Sequence, residues 1–462
     1  MQIPPGEELA FASATELAGR IRAREVSPRE LVSLFLQRIE RINPRIGAYV
    51  TLTGERAMAE AEAAERMLRV EESAQVGPLF GLPISIKDLS PTKGVRTTFG
   101  SPAFEHFVPE MDNPDVARLF QAGAIMLGKT NTPELGLSMS TEDGLFPPTH
   151  NPWDLSRSPG GSSGGAGAAL AARLCSLATG SDAGGSIRIP AAACGVVGLK
   201  PSRGRVIPRP FDSAAIAGFA SPGPMAHTVA DVKLLLSVLT PPFMPIPPMR
   251  EDPTAGLRVG WTTKSAVTQV DPEVAMATER VAQVLADLGH NVAEAAPDVS
   301  GVYDAFLTII QAHTAVTPIP EPDKLGTHAR AMIESGKRHS AIDYLQAEFT
   351  ILDLSRRVME WFRRFDILVC PTLPVTAPQL GSMGGTEEEI RQTLDRFGAF
   401  TYWVNTTGQP AISLPLGQSA DGLPIGVQLV GRVGSDDLLL SVAEQLEVAM
   451  PWVDRIPAIA FN

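Results

Sequence analysis

The sequence predicts an α/β fold, a single domain spanning residues 1–462 around one mixed sheet. Capped amphipathic helices alternate with short apolar runs along the whole chain, as that class requires. Strand-like runs occur on both sides of the proline-rich stretch Pro241–Pro253, so both parts feed one sheet. No internal repeat points to a solenoid or an array. Taken in order, Ser27-Pro28-Arg29-Glu30 reads as a capping box with proline at the first helical position. Leu31, Leu34, Phe35, Ile39 and Ile42 then give that helix one apolar face. Gly81 to Asp88 is a short apolar strand ending on charges at Lys87 and Asp88. Asn113-Pro114 starts a second helix that Gly123 ends, leading into a strand at Ala124–Leu127. The alanine-rich segment from Gly165 to Thr179 has helical character, and the apolar run Ile187–Leu199 reads as core. Six prolines make Pro241–Pro253 an extended surface connection. Asp271-Pro272 opens a third helix ahead of a strand at Asn291-Val292-Ala293. Further strand-like runs follow at Ile367–Cys370, Ala411–Leu414 and Val427–Val430.

Composition narrows the function. A chain of 462 residues with 44% hydrophobic content can bury a large core. Its formal charge of −12 disfavours nonspecific nucleic-acid binding. Three cysteines without regular spacing indicate neither a disulfide framework nor a zinc site. Residues 1 to 12 lack a basic segment followed by an apolar core, and Arg173 or glycines break the longest apolar stretches before membrane length. The expectation is a cytoplasmic enzyme without metal or cofactor, a monomer or homodimer, acting on a small molecule with no nucleic-acid or membrane partner.

The chemistry is carried by Ser158–Pro190, where Ser-Pro-Gly-Gly-Ser-Ser-Gly-Gly is followed by Gly-Ser-Asp-Ala-Gly-Gly-Ser-Ile-Arg-Ile-Pro. Glycines flanking a serine remove the Cβ groups that would block close backbone approach. A flexible linker would not be interrupted by Asp182 and Arg188 and followed at once by core. A P-loop needs a Lys-Ser/Thr pair after its last glycine, and Gly165 is followed by Ala166-Gly167. The Gly-x-Ser-x-Gly elbow fits poorly, and none of the seven histidines sits in a glycine-rich or strand-end context. Lys87 is the alternative base, set against the ordinary reading of a lysine as a surface group. A lysine accepts a proton only when neutral, and burial beside Ile84 and Ile86 would lower its pKa toward that state.

These segments resemble the amidase-signature hydrolases. Gly160-Gly161-Ser162-Ser163-Gly164-Gly165 is similar to that family's glycine-serine loop, and Asp182 to Pro190 to its nucleophile loop. Ile84-Ser85-Ile86-Lys87-Asp88 is similar to its lysine segment, and Gly195 to Pro201 to the strand that follows. Later segments agree at Gly223-Pro224-Met225, Thr228 to Asp231, Pro371-Thr372, Gly408 to Ala411 and Leu423 to Gly426. The resemblance implies an α/β/α sandwich around a large, mostly parallel mixed sheet, and a Ser-cisSer-Lys triad. Ser186 is then the nucleophile, Ser162 a bridging serine after a cis Gly161–Ser162 peptide, and Lys87 the base.

The small residues Ala183, Gly184, Gly185 and Ser186 offer backbone N–H groups to a developing oxyanion. Asp182 and Arg188 read as a pair fixing the shape of that loop, with Ser163 beside Lys87 and Ser162. Cys194, like Cys175 and Cys370, reads as small core packing. The glutaminase component of glutamyl-tRNA amidotransferase assemblies shares the motifs and is the alternative reading. Its acidic residue, however, is replaced here by Phe397-Gly398-Ala399. Phe211, Ile216, Phe219, Phe400, Tyr402 and Trp403 suggest an apolar wall instead. The sequence thus favours a free-standing hydrolase of apolar or aryl amides, with carbamates (urethanes) and esters presenting the same acyl carbon.

Overall fold

The computed structural model describes residues 2–70, 76–206, 218–241, 256–382, 389, 392–393 and 396–462. Most of the Pro241–Pro253 connection therefore lies outside the described residues, as do Phe211 and Ile216. Eleven strands form one sheet. They are β1 (Tyr49–Leu52), β2 (Pro83–Lys87), β3 (Ile125–Thr130), β4 (Leu177–Asp182), β5 (Val197–Lys200) and β6 (Ser221–Ala226). The others are β7 (Arg258–Trp261), β8 (Asn291–Glu294), β9 (Ile367–Pro371), β10 (Ala411–Gln418) and β11 (Pro424–Gly431). Across the sheet the order is β1-β3-β2-β4-β6-β5-β10-β11-β9-β7-β8.

The sheet is mixed, as the sequence suggests, but it is not mostly parallel. Only the pairings of β2 with β3 and β4, and of β7 with β8 and β9, are parallel. The other six are antiparallel. Two local causes set the centre. β6 inserts antiparallel between β4 and β5, and β10 returns to β11 through a connection of a few residues, too short for a parallel crossover.

Helices cover both faces. On β11, a Cβ at Gly426 would lie 2.3 Å from the Ala192 Cβ of helix Arg188–Cys194. On the opposite face, a Cβ at Gly417 would meet Ala277 of helix Pro272–Asp287 at 2.8 Å. The first expected helix runs Pro28–Ile46, with the Ser27 hydroxyl accepting the N–H groups of Arg29 and Glu30. Leu31, Phe35, Ile39 and Ile42 are buried along its inner face. The second and third run Pro114–Gln121 and Pro272–Asp287. The alanine-rich segment splits into helix Gly164–Ala171 and strand β4, and the apolar run after Ser186 into helix Arg188–Cys194 and β5.

Candidate active site

Lys87 ends β2, Ser181 lies near the end of the adjacent β4, and Ser162 precedes helix Gly164–Ala171. Gly161 can be nothing larger, because a Cβ there would lie 2.5 Å from the Ser140 carbonyl oxygen. The Gly161–Ser162 peptide is cis. Lys87 is 1% exposed, and its Nζ lies 2.7 Å from Ser162 Oγ and 3.2 Å from Ser181 Oγ. Burial lowers its pKa to about 7, against the opposing pull of the Asp182 carboxylate. A substantial fraction of this lysine is therefore a neutral amine near neutral pH.

The segment between β4 and helix Arg188–Cys194 is held from below by ionic hydrogen bonds. Arg188 forks onto Asp182, with Nε to Oδ2 and Nη2 to Oδ1 both at 2.9 Å. The same guanidinium donates to Gln428 Oε1 at 2.6 Å and to Asn405 Oδ1 at 2.6 Å. Asn405 Nδ2 donates in turn to the Asp182 backbone carbonyl at 2.8 Å. Burial alone would raise the Asp182 carboxyl, but Arg188, helped by Lys200 and the amide of Asn405, holds it well below the usual carboxylate range. The pair is wholly buried and fully hydrogen-bonded, the condition under which a buried ion pair holds a shape. Thr401 adds a hydroxyl donated to the Gly184 carbonyl at 2.7 Å.

Gly185 departs from the sequence expectation. Its N–H donates to Asp182 Oδ1 at 2.7 Å, so it is committed to the loop's own carboxylate and is not free for an oxyanion. Ala183, Gly184 and Ser186 keep backbone N–H groups with no acceptor among the described residues. Gly185 is nonetheless required as glycine, with φ at +131° and a would-be Cβ 2.5 Å from the Thr401 hydroxyl. Ser163 departs too. Its hydroxyl lies 3.4 Å from the Ser181 backbone, not on Lys87, while its N–H donates to the Ser186 carbonyl at 3.1 Å. The second hydroxyl beside Lys87, after that of Ser162, is that of Ser181, which the sequence reading did not single out.

Ser162, Ser181, Ala183 and Ser186 line one cavity of about 440 Å³. Its walls are apolar, with Phe99, Phe104 and Phe107 in mutual contact at centroid distances of 4.9 to 6.0 Å. Leu135, Leu137 and Ala220 continue that surface, and Glu110 is the one charged residue among the described lining. That lining holds no histidine among the described residues. Burial raises the thiols of Cys175 and Cys370 to about 12, and raises that of Cys194 as well, so none is a thiolate near neutrality.

A family model described as "Amidase" matches residues 30–440. The chain belongs to the amidase-signature family. It is 37% identical over 489 residues to the 6-aminohexanoate-cyclic-dimer hydrolase of Pseudomonas sp. (strain NK87), covering 97% of each chain. It is 34% identical over 476 residues to an acylamidase of Rhodococcus erythropolis, covering 98% of each. A solved structure of 6-aminohexanoate cyclic dimer hydrolase complexed with substrate superposes with a TM-score of 0.89 at 36% identity, over 98% of this chain and 100% of that one. A bacterial aryl acylamidase structure superposes at 0.88 with 26% identity, over 98% and 99%. This amidase-family chain is thus an amide-bond hydrolase.

The aromatic wall of this amidase-family cavity is not the one expected from sequence. Phe400, Tyr402 and Trp403 line a separate cavity of about 200 Å³ and are buried in the core. Phe219 stacks on Phe306 at 6.1 Å and is 5% exposed. The reason is local: Tyr402–Thr407 is a wholly buried helix that carries Asn405 to the Asp182–Arg188 pair, so its aromatic side chains fill core around that clamp. Phe99, Phe104 and Phe107 escape the sequence reading because they follow Lys87 in an irregular segment with no periodic pattern. Their clustering so soon after the lysine strand is the one signal that could have found them.

Proposed function

We propose that this protein hydrolyses amides of apolar or aryl compounds through an acyl-enzyme, with Ser186 as nucleophile, Ser162 as proton relay and Lys87 as base. The observation that carries the reading is a neutral-leaning Lys87 amine 2.7 Å from Ser162, whose loop shares one apolar cavity with Ser186. Ser162 passes its proton to Lys87 as it takes that of Ser186, and Ser186 Oγ bonds to the substrate carbonyl carbon. The N–H groups of Ala183, Gly184 and Ser186 donate to the developing oxyanion, each such donor being worth about 10²–10³ in rate. The proton returns through Ser162 to the leaving nitrogen, the C–N bond breaks, and water repeats the sequence to release the acid. Asp182 and Arg188 hold the loop without touching substrate.

The apolar walls favour acyl or aryl groups over charged head groups, and aryl carbamates and esters present the same trigonal carbon to Ser186. A relative from Cyanothece sp. (strain PCC 7425 / ATCC 29141), named as one component of glutamyl-tRNA(Gln) amidotransferase, is 34% identical. Glutaminase activity is disfavoured here, because no basic side chain among the described lining could hold a free α-carboxylate. The deciding test is turnover of an anilide, an aryl carbamate, an aryl ester, a short aliphatic amide and glutamine by the purified protein. Preference for the anilide supports the proposal, and preference for glutamine overturns it.

A further inference from the structure

Helix Ala341–Phe362 is apolar on two faces. Its inner stripe, Ala347, Ile351, Leu354, Val358 and Phe362, is buried, and the helix packs on helix Val302–Ala315, which contributes Thr314 to the catalytic cavity. The outer stripe is a second seam. Ile342 is 66% exposed, Leu345 49%, Phe349 67%, Leu352 63% and Met359 65%. Their spacing alternates three and four residues, with Arg356 filling the one remaining position, which is the a/d pattern of a two-helix seam. A globular helix ordinarily carries one apolar stripe facing its own core, and a contiguous strip of large exposed side chains marks an interaction site.

We infer that the outer face of helix Ala341–Phe362 is the interface of a homodimer, in which two copies of the helix pack antiparallel across a two-fold axis between Thr350 and Ile351. The seam is self-complementary in that arrangement alone. Turned about this axis, Phe349 meets Leu352 of the second copy, Ile342 meets Met359, and Arg356 meets Leu345. Arg356 is already paired on its own helix with Asp353 at 3.0 Å and Glu360 at 2.8 Å, so its aliphatic stem can cover Leu345 while its charge stays at the rim. The flanking positions agree as well. Glu348 faces Ser355 and the edge of Arg356, Gln346 faces Asp353, and Glu360 lies beyond the first turn of the second copy's helix, so no like charges oppose each other along the seam. A parallel pairing would set Arg356 against its own copy in the seam. An anionic membrane is a poor occupant, because Asp343, Glu348, Asp353 and Glu360 outnumber Arg356 and Arg357 on this helix. A C2 pair of identical patches is also the commonest closed assembly.

The test is sedimentation of the wild type and of Phe349→Glu and Leu352→Glu at micromolar concentration. These side chains point to solvent in a single copy, so the substitutions spare the fold. The wild type should sediment as a dimer, and each variant should weaken the association on the order of a hundredfold by placing a charge in the apolar seam. A second arm fixes the direction. Leu345→Cys and Arg356→Cys proteins should form a disulfide dimer when mixed and oxidised, but not when either is oxidised alone. A monomeric wild type, a dimer that survives both glutamates, or cross-linking of Leu345→Cys with itself would overturn the inference. So would flotation of the wild type with phosphatidylcholine/phosphatidylserine vesicles that Phe349→Glu abolishes, since the strip would then be a lipid contact.

Discussion

At the residue scale the decisive quantity in the proposed mechanism is the protonation state of Lys87. Only its neutral form can take the Ser162 proton, and burial sets its pKa at about 7. The neutral fraction rises with pH, so kcat/KM for an anilide should climb through about pH 7 and level off on the alkaline side. A pH–rate profile checks this, and activity falling across that interval would exclude the lysine as base. Lys87→Arg keeps a permanent charge that accepts no proton. Amide turnover should fall by several orders of magnitude, whereas activated aryl esters should suffer less because their leaving groups need little protonation. Ser186→Ala should lose the acyl-enzyme altogether. A fluorophosphonate adduct mapped by mass spectrometry should sit on Ser186 in the wild type, and a label on Ser162 or Cys194 would reverse the assignment.

At the scale of the element, the loop that carries Ser186 is shaped by groups from distant parts of the chain. Asn405, on helix Tyr402–Thr407, bonds both the Asp182 backbone and Arg188. Asn405→Ala leaves these partners unsatisfied without changing a wall of the catalytic cavity. It should lower kcat on the order of a hundredfold through displacement of Ser186, while KM changes little. A large rise in KM with unchanged kcat would place Asn405 in substrate binding instead. The segment Phe99–Phe107 predicts the reverse pattern. Phe104→Ala should shift the kcat/KM ratio between an anilide and a short aliphatic amide by about 1–3 kcal/mol, while Tyr402→Phe should leave that ratio near its wild-type value. The helix starts at Ser27-Pro28, Asn113-Pro114 and Asp271-Pro272 were legible because proline at the first helical position acts within one turn, as do the side-chain caps of Ser27 and Asp271, while Asn113 makes no side-chain cap bond. The wall was not, since three phenylalanines in an irregular segment meet only after folding.

At the scale of the whole molecule, the two helical layers close on the sheet with little tolerance. Gly426 is the sensitive point. Gly426→Val would drive its side chain into Ala192 and separate helix Arg188–Cys194 from β11, costing about 1–3 kcal/mol. The half-life of activity at elevated temperature should shorten accordingly, with kcat at low temperature less affected. By itself the sequence marked the segments to which the chemistry is assigned, Gly160–Gly165, Asp182–Pro190 and the strand ending at Lys87, through their glycine-serine composition and their resemblance to the family's motifs. It also determined the alternation of helices and strands, which follows from local periodicity. Only the tertiary structure decided that Ser181 stands beside Lys87, that Gly185 is spent on Asp182, and that the cavity wall comes from Phe99, Phe104 and Phe107. It alone decided that β6 enters antiparallel between β4 and β5, making the sheet's centre antiparallel. Each of these depends on contacts between residues far apart in the chain, and one-dimensional spacing carries no record of which distant groups will meet.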